Sequence, residues 1–291
     1  MIKLNEAHTK FIKHLGSEGK SSSTLIAYSK DIEQLINFLE KEGVSGVSDV
    51  ELTHLENFMK KLAKEEYTPK SISRKTNATK TFFKFLHNTE IIALNTAEFL
   101  KHPKIATKEP RILSKLEYRA LRDAAKDDLR SYAMIEVLLQ TGVTISELAD
   151  IRLEDIEFTD GTGKLTVKKK NNRETRVIPL NRAVVDSIRK YIDEERVKIE
   201  NAVHLFITKT GNSLLVRNIR STINRYFNLA GVESAKVNDL RHTFVAHHLS
   251  MGVNLLHLSK IAGHKRVSTT ERYLQYIERE VEDEKTELGI L

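Results

Sequence analysis

The sequence predicts a mainly α protein, α+β overall, in two domains, the second carrying one small antiparallel sheet. Three observations lead there. At 291 residues the chain exceeds the usual size of a single domain. Only four prolines and twelve glycines stand among many Leu, Ile, Glu and Lys residues, a composition that favours helix. Two short β-type runs, Lys164–Val167 and Arg176–Leu180, face each other across a polar loop and read as a hairpin.

In chain order, a first helix is predicted from Leu4 to Leu15 on the apolar positions Leu4, Phe11, Ile12 and Leu15, stopping at Gly16. Ser21–Thr24 supplies cap chemistry for a second, whose apolar face is Leu25, Ile26, Ile32, Leu35, Ile36 and Leu39 and which ends near Gly43. A third runs roughly from Val50 to Leu62. Thr68-Pro69 opens a fourth, with proline early in the helix and Ile72, Phe82, Phe83, Phe85 and Leu86 inward. The stretch His102–Pro110, bracketed by two prolines and without apolar period, reads as a linker. It divides the chain into residues 1–101, a linker at 102–112 and residues 113–291. Beyond it, Ser114 starts a helix, Tyr132–Leu139 forms a strongly apolar one, and His204–Ile207 suits a third strand. Arg182–Lys198 and Arg217–Ala230 read as further helices.

Composition removes several classes of function. With no cysteine there is no disulfide framework, thiolate metal site or cysteine nucleophile, which fits a reducing cytoplasm. The N-terminal MIKLNEAHTKFIKHL lacks the apolar run of a signal peptide, and no stretch approaches the roughly 18 apolar residues of a membrane span. The expectation is a cytoplasmic protein without membrane attachment. A net charge of +7 is a modest excess whose distribution matters more than its sum.

That distribution is uneven. The fourth helix carries Lys70, Arg74, Lys75, Lys80 and Lys84 without an acid up to Phe85. Members spaced by four share a face, which suits either a solvated surface or contact with DNA phosphates. The hairpin loop Lys168-Lys169-Lys170-Asn171-Asn172-Arg173 is a basic tip able to carry an ammonium into a groove beside a phosphate. Asn238 and Arg241 lie three apart and share a helix face, with Asp239 as a cap. An arginine fork can bond two non-bridging phosphate oxygens. Gly263-His264 breaks one helix before another that presents Tyr273 and Tyr276.

Together these segments resemble the tyrosine recombinase (phage integrase) family, in its Xer-like form, over nearly the whole chain. LSKIAGHKRVSTTERY (258–273) is similar to the block in which Leu-Gly-His and Ser/Thr-Thr lead to the catalytic tyrosine, and its spacing selects Tyr273 over Tyr276. DLRHTFVAHHLSMGVN matches the Leu-Arg-His-Thr-Phe block. LLQTGVTISELADIRLEDI matches the Thr-Gly-x-Arg-x-Ser-Glu-Leu block. The resemblance implies a SAM-like core-binding domain followed by a mostly helical catalytic domain, clamping double-stranded DNA from both sides. It implies cutting and rejoining of DNA through a 3′-phosphotyrosyl link with no metal or nucleotide cofactor. By the same resemblance Tyr273 is the nucleophile, Arg241 the second clamping arginine, and His264 a hydrogen-bond donor to the phosphate. Lys169 is the acid for the leaving 5′-oxygen, with Lys168 and Lys170 as alternatives. Fixed cations serve such chemistry because charge develops on the phosphate. A homodimer or tetramer on DNA is implied, joined through the tail that carries Ile277, Val281, Leu288, Ile290 and Leu291.

Two positions depart from the pattern. Thr144 stands where the family has its first clamping arginine, and Asn238 where the His-x-x-Arg pair has histidine. A threonine cannot replace a bidentate cation, and asparagine carries no proton at neutral pH. Loss of one preorganised donor to an oxyanion costs ~2.7–4 kcal/mol, or ~10²–10³ in rate. Arg152 or Arg173 could supply a substitute charge. The expectation is therefore an impaired recombinase of a mobile element or plasmid, with a catalytically inactive DNA-binding member of the same fold as the alternative. A helix-turn-helix regulator built on Thr144–Asp150 does not explain the long second domain. A metal hydrolase on His242, His247 and His248 lacks a suitable ligand spacing.

Overall fold

A computed structural model describes residues 2–106, 109–169 and 174–281. The chain divides into two compact units, Met1–Lys108 and Glu109–Leu291. The units are mainly helical, as the composition predicts, and the described residues hold one three-stranded antiparallel sheet that contains the expected hairpin.

The first unit packs α1 (Leu4–Ser17), α2 (Ser22–Lys41), α3 (Leu52–Lys64) and α4 (Pro69–Asn88) around Leu4, Phe11, Leu15, Ile32, Leu35, Leu39, Leu55, Phe58, Phe82, Phe83 and Leu86. The caps sit where the sequence places them. Ser21 accepts a hydrogen bond from the Thr24 amide at 3.3 Å. Thr68 accepts one from Ser71, with Pro69 in the first turn, where its missing N–H costs nothing. Ile26 departs from the expected inner face of α2 and is 58% exposed. It is the fifth residue of α2, ahead of the stretch from Ile32 to Leu39 that packs inward.

The second unit begins with α5 (Lys115–Ala125), opened by a capping box in which Ser114 and Glu117 satisfy each other's backbone amides. There follow α6 (Leu129–Thr141), α7 (Ile145–Asp150) and a 3₁₀ turn at Leu153–Asp155. Strands β1 (Ile156–Thr159), β2 (Thr162–Val167) and β3 (Arg176–Leu180) form the sheet in that order, with Leu165 opposite both Ile156 and Ile178. Alternation puts Gly163, Leu165, Val167, Ile178 and Leu180 on the buried face. Next come α8 (Arg182–Lys190), a π turn at Tyr191–Glu195, α9 (Val216–Leu229), α10 (Val237–Ser250), α11 (Leu255–Ala262), α12 (Ser268–Glu271) and α13 (Leu274–Val281). The principal core joins α6, the sheet, α8 and α9 through Ile135, Leu138, Leu165, Ile178, Val184, Ile188, Phe206, Ile219 and Phe227. A smaller cluster, Phe244, Val245, Leu249, Leu258, Ala262 and Tyr273, holds α10, α11 and the chain around Tyr273 together.

Three local expectations are corrected. Strand β1 precedes the hairpin unannounced, because only Ile156 of its four residues is buried. The segment His204–Ile207 makes only isolated bridges, Arg152 with His204 and Ile207 with Ser213, since its backbone bonds go to the irregular chain at Ile151 and Leu214. The helix predicted over Arg182–Lys198 leaves α geometry at Tyr191, where Arg196 turns back to donate to the carbonyls of Ala202, His204 and Leu205. The C-terminal tail beyond Val281, with Leu288, Ile290 and Leu291, lies outside the described residues.

Candidate active site

All six residues that the sequence marks for chemistry lie in the second unit. Gly142 ends α6 with φ +62°, a left-handed conformation that glycine adopts without steric cost. A Cβ there would also fall inside the Phe244 ring of α10. This close approach lets the Gly142 carbonyl accept a hydrogen bond from Nη1 of Arg241, which is buried at 6% exposure. The α6–α7 turn thus fixes the arginine of α10.

Thr144 follows at once. It is the N-cap of α7: its hydroxyl accepts from the Glu147 amide at 3.3 Å and donates to Glu147 Oε2 at 2.9 Å, while its own amide donates to Oε2 at 2.8 Å. Glu147 is nearly buried and is gripped from β3 by Arg176, with Nη1 on Oε1 at 2.8 Å and Nη2 on Oε2 at 3.1 Å. Burial alone would raise the Glu147 pKa. The Arg176 fork and the Thr144 amide outweigh it and bring the value to about 2. Arg176 Nε donates to the Ile261 carbonyl at 2.7 Å. Gly263, at φ +68°, ends α11 against this guanidinium, and a Cβ there would lie 2.8 Å from Cζ. A buried ion pair therefore links α7, β3 and the turn that presents His264.

His264 Nδ1 pairs with the Thr270 hydroxyl at 2.7 Å, and the Tyr273 amide donates to the Thr270 carbonyl at 3.0 Å. Tyr273 is 5% exposed. Burial raises its pKa, and the charge of Arg241 offsets only part of the rise. Its hydroxyl makes a short hydrogen bond with Nδ1 of His242, whose Nε2 lies 2.7 Å from the Asn238 amide nitrogen. Burial lowers the His242 pKa, with Asp239 opposing and Arg241 adding to the effect. Asp239 accepts from the Lys236 amide at 2.7 Å and caps α10, as its position suggests.

Two cavities flank this assembly. One, of about 440 Å³, is lined by Thr144, Asn238 and Arg241 together with Arg220 of α9 and Lys236. The other, of about 850 Å³, runs beside Arg176, Lys260, His264 and Lys265. In the hairpin, Lys168 is held by Glu154 at 2.6 Å and Asp155 at 2.8 Å. The Lys169 side chain is exposed, and its amide donates to Thr175. Lys170 and Arg173 lie outside the described residues. Arg152 pairs with Glu154 and does not reach the Thr144 cavity.

On α4 of the first unit, Lys70, Arg74 and Lys84 are exposed, with Arg74 bonded to Asp31. Lys80 is turned onto the carbonyls of Glu98 and Leu100. Lys75 leaves the expected basic face altogether. It is buried, its ammonium 2.8 Å from Asp31 and 2.6 Å from Gln34, because its helical position faces α2.

His242, Arg176, Arg220 and Lys236 were not among the sequence candidates for this chemistry. The signal for His242 was present, four residues after Asn238 on the same helix face. The other three become visible only once β3 and α9 are packed.

Comparison with known proteins decides the lineage. Residues 111–279 match the phage integrase family, and residues 9–90 match the N-terminal SAM-like domain of phage integrases. The chain belongs to the phage integrase, or tyrosine recombinase, family. A tyrosine recombinase of Pseudothermotoga lettingae is 30% identical over 89% of this chain and 90% of its own length. One of Thermosipho africanus is 30% identical over 96% and 97%. Among solved structures, XerA recombinase superposes with TM-score 0.54 at 26% identity, covering 95% of this chain and 96% of its own. XerH bound to its difH substrate after cleavage shares the fold, with TM-score 0.75 at 16% identity over 89% and 78%. Among the described residues, no helix is long and apolar enough to cross a membrane, and no group of acids and histidines is placed to hold a metal ion.

Proposed function

We propose that this integrase-family chain is a site-specific DNA recombinase in which Tyr273 attacks a phosphodiester to leave a 3′-phosphotyrosyl bond, and that cleavage is slowed by the neutral Thr144. The observation that carries this reading is that buried Tyr273 is hydrogen-bonded to His242, the residue after buried Arg241 on α10, with His264 tied to Thr270 three residues before Tyr273. Arg241 would hold the phosphate and His264 would donate to it. Lys169, exposed two residues beyond β2, would protonate the leaving oxygen. Arg220 and Lys236 bring positive charge to the same cavity as Thr144 and would recover part of the missing stabilisation.

The partner is double-stranded DNA, approached through backbone contacts that weaken with salt. Lys70, Arg74, Lys80 and Lys84 in the first unit and Lys168, Lys170 and Arg173 in the hairpin are the proposed contributors, and Lys75 is not. Lambda integrase has been solved as a dimer on a core site and as a tetramer on a Holliday junction. A dimer or tetramer on DNA, joined through the C-terminal tail, is proposed for this chain too.

The test is a nicked suicide substrate that traps a covalent protein–DNA adduct. A slow adduct is expected, absent in Tyr273→Phe and formed ~10²–10³ faster in Thr144→Arg. If Thr144→Arg binds DNA and forms no adduct under any condition, the chain is a DNA-binding member of the fold without cleavage activity.

A further inference from the structure

Asparagine at position 238 removes the proton acceptor of the His-x-x-Arg pair, yet a phenol buried at 5% exposure must lose its proton as it attacks. Nothing in the roles proposed above provides for that proton. The geometry points to His242 as the group that takes it, with Asn238 as the residue that orients the His242 ring. This rests on the recombinase reading.

The placement is specific. His242 Nδ1 is hydrogen-bonded directly to the Tyr273 hydroxyl, with ring centroids 5.7 Å apart. Asn238 stands one helical turn before it on α10, its amide 2.7 Å from the opposite ring nitrogen. A primary amide presents an oxygen and an NH₂ group on one fork. The amide nitrogen faces Nε2; a half-turn of the amide exchanges nitrogen and oxygen in place, and with the oxygen turned to Nε2–H the lone pair of the neutral ring is left on Nδ1, facing the phenol. Asparagine then does for His242 what the orienting member of a nucleophile–histidine–asparagine triad does. The charged and titratable groups facing the ring are Asp239 and Arg241 on its own helix and Tyr273 opposite.

In the step, the phenolic O–H bond breaks and its proton passes to Nδ1 while Oη bonds to phosphorus. The bond from phosphorus to the 5′-oxygen breaks, and that oxygen leaves with a proton from a hairpin lysine. Rejoining runs the same path backwards: the His242 imidazolium returns the proton to the departing Tyr273 oxygen. The substituted site thus moves its proton acceptor one turn along α10. The competing reading is packing alone, since Tyr273 belongs to the apolar cluster of Phe244, Val245 and Leu249 on α10.

Two measurements decide between them. The first needs no cleavage: ¹⁵N NMR of the full chain, with the His242 ring assigned through His242→Asn. The proton is expected on Nε2, and the His242 pKa is expected to rise in Tyr273→Phe, where the neutral ring loses a hydrogen-bond donor. A proton on Nδ1 overturns the proposal. The second is adduct formation against pH in the Thr144→Arg background. His242→Asn keeps a hydrogen bond near the Nδ1 position without a proton-accepting ring. It is expected to lose ~10²–10⁴ in rate and the fall in rate towards acid pH, with DNA binding unchanged. A full rate, or an unaltered pH profile, overturns the assignment. If no variant forms an adduct while NMR shows Nε2–H and the pKa rise, the recombinase reading fails and the hydrogen-bonded chain stands.

Discussion

The second unit holds two hydrogen-bonded chains, one beginning at Thr144 and one at Asn238, and they differ in kind. Thr144–Glu147–Arg176 is ionic: a buried carboxylate and a guanidinium pair in a fork, and the Thr144 hydroxyl and amide donate to the same carboxylate. Asn238–His242–Tyr273 is neutral, and its hydrogen-bonded groups can exchange a proton. A fixed charge pair specifies geometry, whereas a neutral chain with a titrating centre can transfer protons. The first braces the turns around the site, and the second reaches the reacting oxygen.

The strongest way to break the contrast is Arg176→Ala. It takes the Arg176 guanidinium from buried Glu147 and leaves the Ile261 carbonyl without its donor. Removing one member of a buried pair costs about 3–5 kcal/mol. Denaturant unfolding should show a loss of that size, and the turn carrying His264 should lose protection from hydrogen exchange. A loss below about 1 kcal/mol would mean that Glu147 is solvated and the brace is weak. Asn238→Ala removes no charge and should cost well under half as much, which sharpens the difference between the chains.

Acid should separate them next. Glu147 is held at about 2 in the folded protein against 4.5 ordinarily. A depressed carboxylate stabilises the fold fully above its unfolded pKa and loses that contribution as pH falls through the folded one. The contribution is on the order of 3 kcal/mol at neutral pH and fades between about pH 4.5 and 2. Glu147→Gln should flatten the stability profile across that window relative to the wild type. The same steepness in Glu147→Gln would place the acid sensitivity elsewhere.

How far this was legible in the sequence depends on the range of the interaction involved. Helix caps at Ser21, Thr68 and Ser114 and the apolar faces of α1 and α4 rest on residues a few positions apart, the β2–β3 pairing joins runs on either side of one loop, and they were readable. Tyr273, Arg241 and His264 were legible as motif blocks. Lys75 was misplaced because charge alone does not reveal that Asp31 waits on α2, 44 residues earlier. Arg176 went unnoticed as a bridge because its partners, Glu147 and Ile261, are brought to β3 only by tertiary packing. His242 lay between the two: its spacing from Asn238 was visible, and its contact with Tyr273, 31 residues away, was not.

The smallest effect concerns Thr144 itself, where structure and chemistry pull apart. Its backbone amide bonds Glu147 whatever the side chain, but its hydroxyl supplies the cap of α7. Thr144→Ala should therefore cost about 1 kcal/mol, as N-cap losses do, and lower Tm by roughly 2–4 °C in a unit of this size. Thr144→Ser should cost almost nothing. Thr144→Arg loses the same cap, and its side chain points to a cavity of about 440 Å³ that already holds Arg220, Lys236 and Arg241. Its Tm should match that of Thr144→Ala in the absence of DNA, and its adduct should form faster. Stability and cleavage then move in opposite directions at one residue, as they must if threonine was retained for the helix end and not for the phosphate. A Tm for Thr144→Arg far below that of Thr144→Ala would show instead that the cavity rejects a further cation, and that Arg220 and Lys236 already fill its electrostatic role.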